Sequence, residues 1–141
     1  MNQTLPTGVI FAKIINILQI VILVVMALFL LFLPGIIFKF IPAENFQEIS
    51  SGMPLENVKS IILGIAVFLG LLSLVSAAGI YFINRGLSQL NRSARIWHII
   101  LAVFSLFYFP IGTILYGISL YFMLFEDTTK RAFDKQETAV N

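Results

Sequence analysis

Residues Arg92–Phe125 read RSARIWHIILAVFSLFYFPIGTILYGISLYFMLF. The stretch opens on Arg92 and Arg95, continues as an apolar run to Phe109, meets Pro110-Ile111-Gly112-Thr113, and leaves as a second apolar run. Proline cannot extend a helical hydrogen-bond ladder, and glycine tolerates a turn. The pattern therefore predicts a helical hairpin of two short helices, about 93–109 and 111–126, joined by a short tight turn. A rival reading makes 96–125 one kinked helix of about 45 Å. The rest of the chain decides between them.

Of the 141 residues, 59% are hydrophobic and 11% charged. A soluble domain carries roughly 25% charged residues, so a water-facing surface would lack cover here. Apolar runs of about 20 residues span a hydrocarbon core of roughly 30 Å, which explains the composition. There is no cysteine, which excludes disulfides, thiol redox couples and thiolate metal sites. A net charge of +2 gives no argument for nucleic acid.

Upstream, Val9–Leu33 is apolar except for Lys13, Asn16 and Gln19. A cleaved signal peptide would need a cationic lead and a small-residue cleavage site; neither is present, and the run is too long. It predicts a first transmembrane helix, about 9–33, ended by Pro34-Gly35. Residues 34–57 read as an extracytoplasmic loop. There Phe38, Phe40 and Phe46 mix with Lys39, Glu44, Glu48 and Glu56, and a short helix from Pro42 to Ser50-Ser51-Gly52 would lie on the membrane surface or dock a partner. A second helix is expected over about 54–83, entered through Pro54. Ala66, Gly70, Ser73 and Ala77 recur along it at i, i+4, i+7 and i+11, placing small residues on one face where another backbone can approach. Thr113 and Gly117 continue that theme on the fourth helix. The tail 127–141 is polar and is expected to fray beyond an initial turn.

Charge selects the hairpin. Four spans put Lys13, Arg85, Arg92, Arg95, Lys130, Arg131 and Lys135 on one side, against Lys39 and Lys59 on the other. That asymmetry satisfies the positive-inside rule with both termini cytoplasmic; three spans would break it. Arg85, Arg92 and Arg95 read as topology anchors, and Trp97 as an aromatic-belt residue beside them.

No Asp or Glu falls within the apolar runs 9–33, 58–83, 96–109 and 111–125, which counts against proton-coupled export through an intramembrane acid. Asn16, Gln19, His98 and Ser105 are neutral polar groups that bridge helices or line a pore. His98 lies one turn from Arg95 and reads as an interfacial residue; it is the single histidine, and metal sites need several ligands. Ser73 and Ser76 lack the base and orienting acid that nucleophilic catalysis requires. No cofactor, metal site or enzyme activity is expected.

The motif Arg92, Ala94-Arg95, an apolar run, Phe109-Pro110-Ile111-Gly112-Thr113 and the apolar stretch Ile114–Leu124 resembles that of a family of small, uncharacterised bacterial membrane proteins with four predicted helices. Ser93 stands where that family's tryptophan is expected, and Trp97 follows instead. The resemblance covers about a quarter of the chain and implies a multipass protein of the bacterial cytoplasmic (inner) membrane, without an assigned activity.

The sequence thus predicts an all-α, integral membrane four-helix bundle over residues 1–141, N-in and C-in. Its expected role is helix–helix contact as an accessory, assembly or protective subunit, with the bilayer and a membrane protein or a second copy as partners. The alternative is an oligomeric channel or transporter for small solutes.

Overall fold

The structure is a computed structural model and describes residues 5–40, 54–106 and 111–140. Five helices occur among the described residues: α1 (Thr7–Phe40), α2 (Leu55–Ser88), α3 (Arg92–Ser105), α4 (Ile111–Phe125) and α5 (Asp127–Val140). No strand occurs among the described residues, so the protein is all-α. The surface helix expected between Pro42 and Gly52, and the Phe109-Pro110 part of the corner, lie outside the described residues.

α1 and α2 are each 34 residues long, about 51 Å at 1.5 Å per residue, and both are apolar and long enough to cross a membrane. The most apolar stretch is only 11% buried in α1 and 17% in α2, whereas the core helix of a soluble domain is mostly covered. Ile14, Phe29 and Phe32 on α1 and Phe68, Val75 and Phe82 on α2 face outward.

The expected stop at Pro34-Gly35 is corrected: α1 continues through Pro34 to Phe40. Proline forfeits one ladder bond. The helix still pairs its other backbone groups internally, which an apolar environment demands. Pro34 is buried, and a Cβ on Gly35 would meet nothing within 4 Å, so neither residue makes a turn. α2 likewise runs past 83 to Ser88. Pro54 precedes its first residue, and the Pro54 carbonyl accepts from the N–H groups of Asn57 and Val58.

The chain divides into two compact units, Val21–Ala77 and Met1–Ile20 with Ala78–Asn141. In the first, α1 and α2 pack antiparallel. A Cβ built on Gly70 would lie 3.1 Å from Leu31 Cγ and 3.5 Å from the Ala27 carbonyl, so the missing side chain is what lets Leu31 seat. Ala27, Ala66 and Ala77 are buried and Ser73 is half-buried. Toward the other end of this pair the Lys59 ammonium lies 6.0 Å from the Phe38 ring centroid.

The second unit is built around a corner and a hairpin. α2 ends in a Schellman arrangement: Asn91 N–H donates to the Gly86 carbonyl at 3.0 Å, and Leu90 N–H to that of Leu87 at 3.1 Å. Leu90 takes the left-handed position usually held by glycine, with φ 54°. That conformation costs about 1–2 kcal/mol, and burial of the leucine side chain returns about 1.5–3 kcal/mol; Leu90 is buried. Asn91 then caps α3, its side chain accepting from Ser93 N–H at 2.9 Å. A Cβ on Gly86 would meet that of Ala94 at 2.6 Å, so the corner closes only with glycine there.

The tail is also corrected. Instead of fraying it forms α5, because two residues one turn apart, Thr129 and Phe133, bury one face. Phe133 joins Val9, Ala12, Leu87, Leu90, Ala94 and Met123 in one core cluster. The start of α1, the end of α2, the start of α3 and the end of α4 therefore meet around α5.

Replacing Gly70 with leucine should destabilise the fold by about 1–3 kcal/mol through overpacking against Leu31. The same change at Gly64, where a Cβ meets nothing within 4 Å, should stay within about 0.5 kcal/mol. Unfolding in mixed micelles by increasing denaturing detergent checks the pair.

Candidate functional site

The interior of α3 is a narrow stripe, Ala94, His98, Ala102 and Ser105; Ile96, Trp97, Val103 and Phe104 lie outside it, exposed. α4 answers with Tyr116, Ser119 and Met123, all buried. Three bonds fasten the antiparallel pair along its length. Arg95 Nη2 donates to the Met123 carbonyl at 2.6 Å, His98 Nε2 shares a hydrogen bond with Ser119 Oγ at 2.7 Å, and Thr113 Oγ1 donates to the Leu106 carbonyl at 2.8 Å. Residues 96–125 are thus a hairpin and not one kinked helix.

α1 lies against this hairpin with its N-terminal half antiparallel to α4. Phe11 and Phe122 meet edge to face, with ring centroids 5.8 Å apart, and the Tyr116 hydroxyl donates to Gln19 Oε1. Ile15, Ala102 and Tyr116 form the core between the three helices. Asn16 is fully buried, and neither its Oδ1 nor its Nδ2 has a protein partner; His98 Nδ1 is likewise unsatisfied.

All four polar residues singled out from the sequence, Asn16, Gln19, His98 and Ser105, therefore face the interior of one chain. His98 is corrected from an interfacial residue to a fully buried one. Sequence reasoning missed Tyr116 and Ser119, which complete the polar column. Pairing them with Gln19 and His98 requires the helix register, and no local pattern carries that.

Arg95 departs from a simple anchor. It is half-buried, bonds the α4 carbonyl, and places its guanidinium 5.4 Å from the Phe133 ring centroid on α5. Arg85, Arg92 and Trp97 are exposed. Gly8, also missed, is a point of closest approach: a Cβ there would lie 2.6 Å from Thr129 Oγ1 and 2.8 Å from Phe122 Cβ.

The packing residues fall into two groups. Ala66, Gly70 and Ala77 are buried, with Ser73 half-buried and its hydroxyl bonded to the Leu69 carbonyl at 2.9 Å. Thr113 serves the hairpin corner. Gly117 has nothing within 4 Å of a built Cβ, so no close approach inside the chain depends on it. Ser76 bonds the Leu72 carbonyl at 2.8 Å, and no group of three His, Cys, Asp or Glu residues able to hold a metal occurs among the described residues.

Compared with protein-family models, curated proteins and solved structures, the chain matches none. The site is accordingly read from its own geometry.

Two outcomes test that geometry. Arg95→Met removes a charge-assisted hydrogen bond of about 1.5–3 kcal/mol and the Phe133 contact. Tryptic cleavage after Lys130 and Arg131 should then accelerate by about tenfold or more, because α5 opens more often. A double-mutant cycle of His98→Phe with Ser119→Ala should return a coupling of about 0.6–1.7 kcal/mol, the range of buried hydrogen bonds between membrane helices.

Proposed function

We propose that the chain is a multipass protein of the bacterial cytoplasmic membrane, with both termini cytoplasmic, and that it works through helix–helix contact as an accessory, assembly or protective subunit. The membrane reading is supported by the largely uncovered apolar surfaces of α1 and α2 and by the seven-to-two distribution of cations. α3 and α4, at 14 and 15 residues, rise about 21–22 Å and fall short of a roughly 30 Å core. The hairpin enters and returns on the Arg95 side whether or not its corner reaches the far interface.

One observation carries the contact reading. Gly64 and Gly79 on α2 are exposed, and a Cβ built on either, or on Gly117 of α4, meets nothing within 4 Å. In lipid, apolar surface alone gives little drive to association, and close backbone approach at small residues does the work. Support for docking thus comes from glycines that no side chain within the chain approaches, and not from the Ala66–Ala77 stripe, whose Gly70 seats Leu31.

A second reading is favoured by the polar column, which lies inside one chain. In that reading the protein passes a small uncharged solute. Solute flux through purified protein in liposomes separates the two, since an accessory subunit gives none.

Gly79→Leu and Gly117→Leu should leave the fold intact and reduce recovery of a co-purifying membrane partner, or of a differently tagged second copy, from native membranes. Unchanged recovery in both variants overturns the contact reading. Reporter fusions after Asn45 and after Asn141 should report opposite sides of the membrane, and the same side for both overturns the topology.

A further inference from the structure

Five polar atoms in the second unit are buried without a partner among the described residues: Asn84 Oδ1 and Arg95 Nε on partly exposed residues, and Asn16 Oδ1, Asn16 Nδ2 and His98 Nδ1 on two fully buried ones. The last three carry the argument. They do not lie apart. The Gln19–Tyr116 bond and the Phe11–Phe122 contact set α1 antiparallel to α4. One turn before Gln19 on α1 is Asn16, and one turn after Tyr116 on α4 is Ser119, so Asn16 comes level with the residue that holds His98 Nε2. Asn16 and the unsatisfied side of His98 therefore share a layer between α1, α3 and α4, within about a helical turn.

The residues of this layer are buried, with the half-buried Lys13 and Arg95 one turn before Asn16 and His98. Ala12, Asn16, His98, Ala102 and Ser119 each have 0% exposure, and no carboxylate, lysine or arginine is among the fully buried residues. Each such atom left unsatisfied carries the penalty of a buried polar group without a partner. An amide presents a donor and an acceptor together, and the imidazole Nδ1 presents one or the other according to tautomer. A molecule that satisfies both must itself donate and accept.

We propose that Asn16 and His98 form a binding site for one resident, water-sized, uncharged molecule that both donates and accepts hydrogen bonds, bridging α1 to the α3–α4 hairpin. The bound molecule fixes the His98 tautomer, and through it the direction of the His98–Ser119 bond. Water and ammonia share this chemistry. The site is held within one chain and does not depend on passage of solute across a membrane, so it stands or falls separately from either functional reading.

The test is nuclear magnetic resonance on the full-length protein in phosphatidylethanolamine–phosphatidylglycerol nanodiscs, with 15N-labelled histidine and asparagine. Magnetisation transfer from water protons should reach the His98 ring and the Asn16 side-chain amide. It should be lost at His98 in Asn16→Leu and lost at Asn16 in His98→Phe, two variants with independent readouts should one fail to fold. A shift of the His98 ring nitrogens on adding ammonia at alkaline pH assigns the site to ammonia; transfer from water with no such shift assigns it to water. Absence of both transfer and shift in the wild-type protein overturns the proposal, as does transfer that persists in the folded variants.

Discussion

A backbone carbonyl in the last turn of α4 has no acceptor role inside its own helix, and Arg95 supplies the donor from α3. The same guanidinium lies over Phe133. One side chain thus joins three helices, at about 1.5–3 kcal/mol for the charged hydrogen bond and about 0.5–2 kcal/mol for the ring contact. With α5 held there, Phe133 can fill the space between Val9, Leu87 and Met123, and Gly8 can approach Thr129 and Phe122. An anchoring arginine turned only toward lipid headgroups would leave α5 without this hold. The packing of three helix ends thus rests on one side chain.

What was legible in the sequence follows the length over which each signal is averaged. The long apolar runs of α1 and α2 are repeated over dozens of residues, and so is the spacing that puts Ala66, Gly70 and Ala77 on an inner face. α5 was not legible, because a mostly polar tail is converted to a docked helix by the single large apolar residue Phe133 with Thr129 one turn before it. The end of α1 is hidden because Pro34 is a strong local stop signal, yet the helix continues through it to Phe40 with the loss of one ladder bond. The α2–α3 corner hid for the opposite reason: its left-handed position holds Leu90 instead of glycine, so the local signal is absent and only burial accounts for the residue. For the polar column, Asn16, Gln19, His98 and Ser105 could be picked out as misfits in apolar runs. Tyr116 and Ser119 look ordinary in α4 until the hairpin register sets them opposite those misfits.

The two compact units solve the packing problem differently. In Val21–Ala77 the contact is dry and depends on removing atoms: glycine at 70 and alanines at 27, 66 and 77 bring the helices close enough for dispersion to act. In the other unit α1 and the hairpin are separated by side chains that carry hydrogen-bonding groups. The contact at Gly70 tolerates little added volume, and the polar column depends on its paired groups. Substitutions in the two units should therefore differ in kind, with size deciding one and polarity deciding the other.

A polar pair between apolar helices contributes little, about 0.6 kcal/mol on average, so the His98–Ser119 bond does not by itself hold together the hairpin. The stronger constraints lie at its ends, where Arg95 meets the Met123 carbonyl and Thr113 meets the Leu106 carbonyl. A slip of one residue between those two clamps would rotate a helix by about 100° and take His98 away from Ser119. The clamps fix the register, and the fixed register brings weak hydrogen bonds into line along α1, α3 and α4. A buried column of neutral groups is then affordable in an apolar interior because its alignment is enforced from outside the column. His98 and Asn16 then carry little of the fold's stability compared with the clamps, and that is the physical ground for treating them as a site.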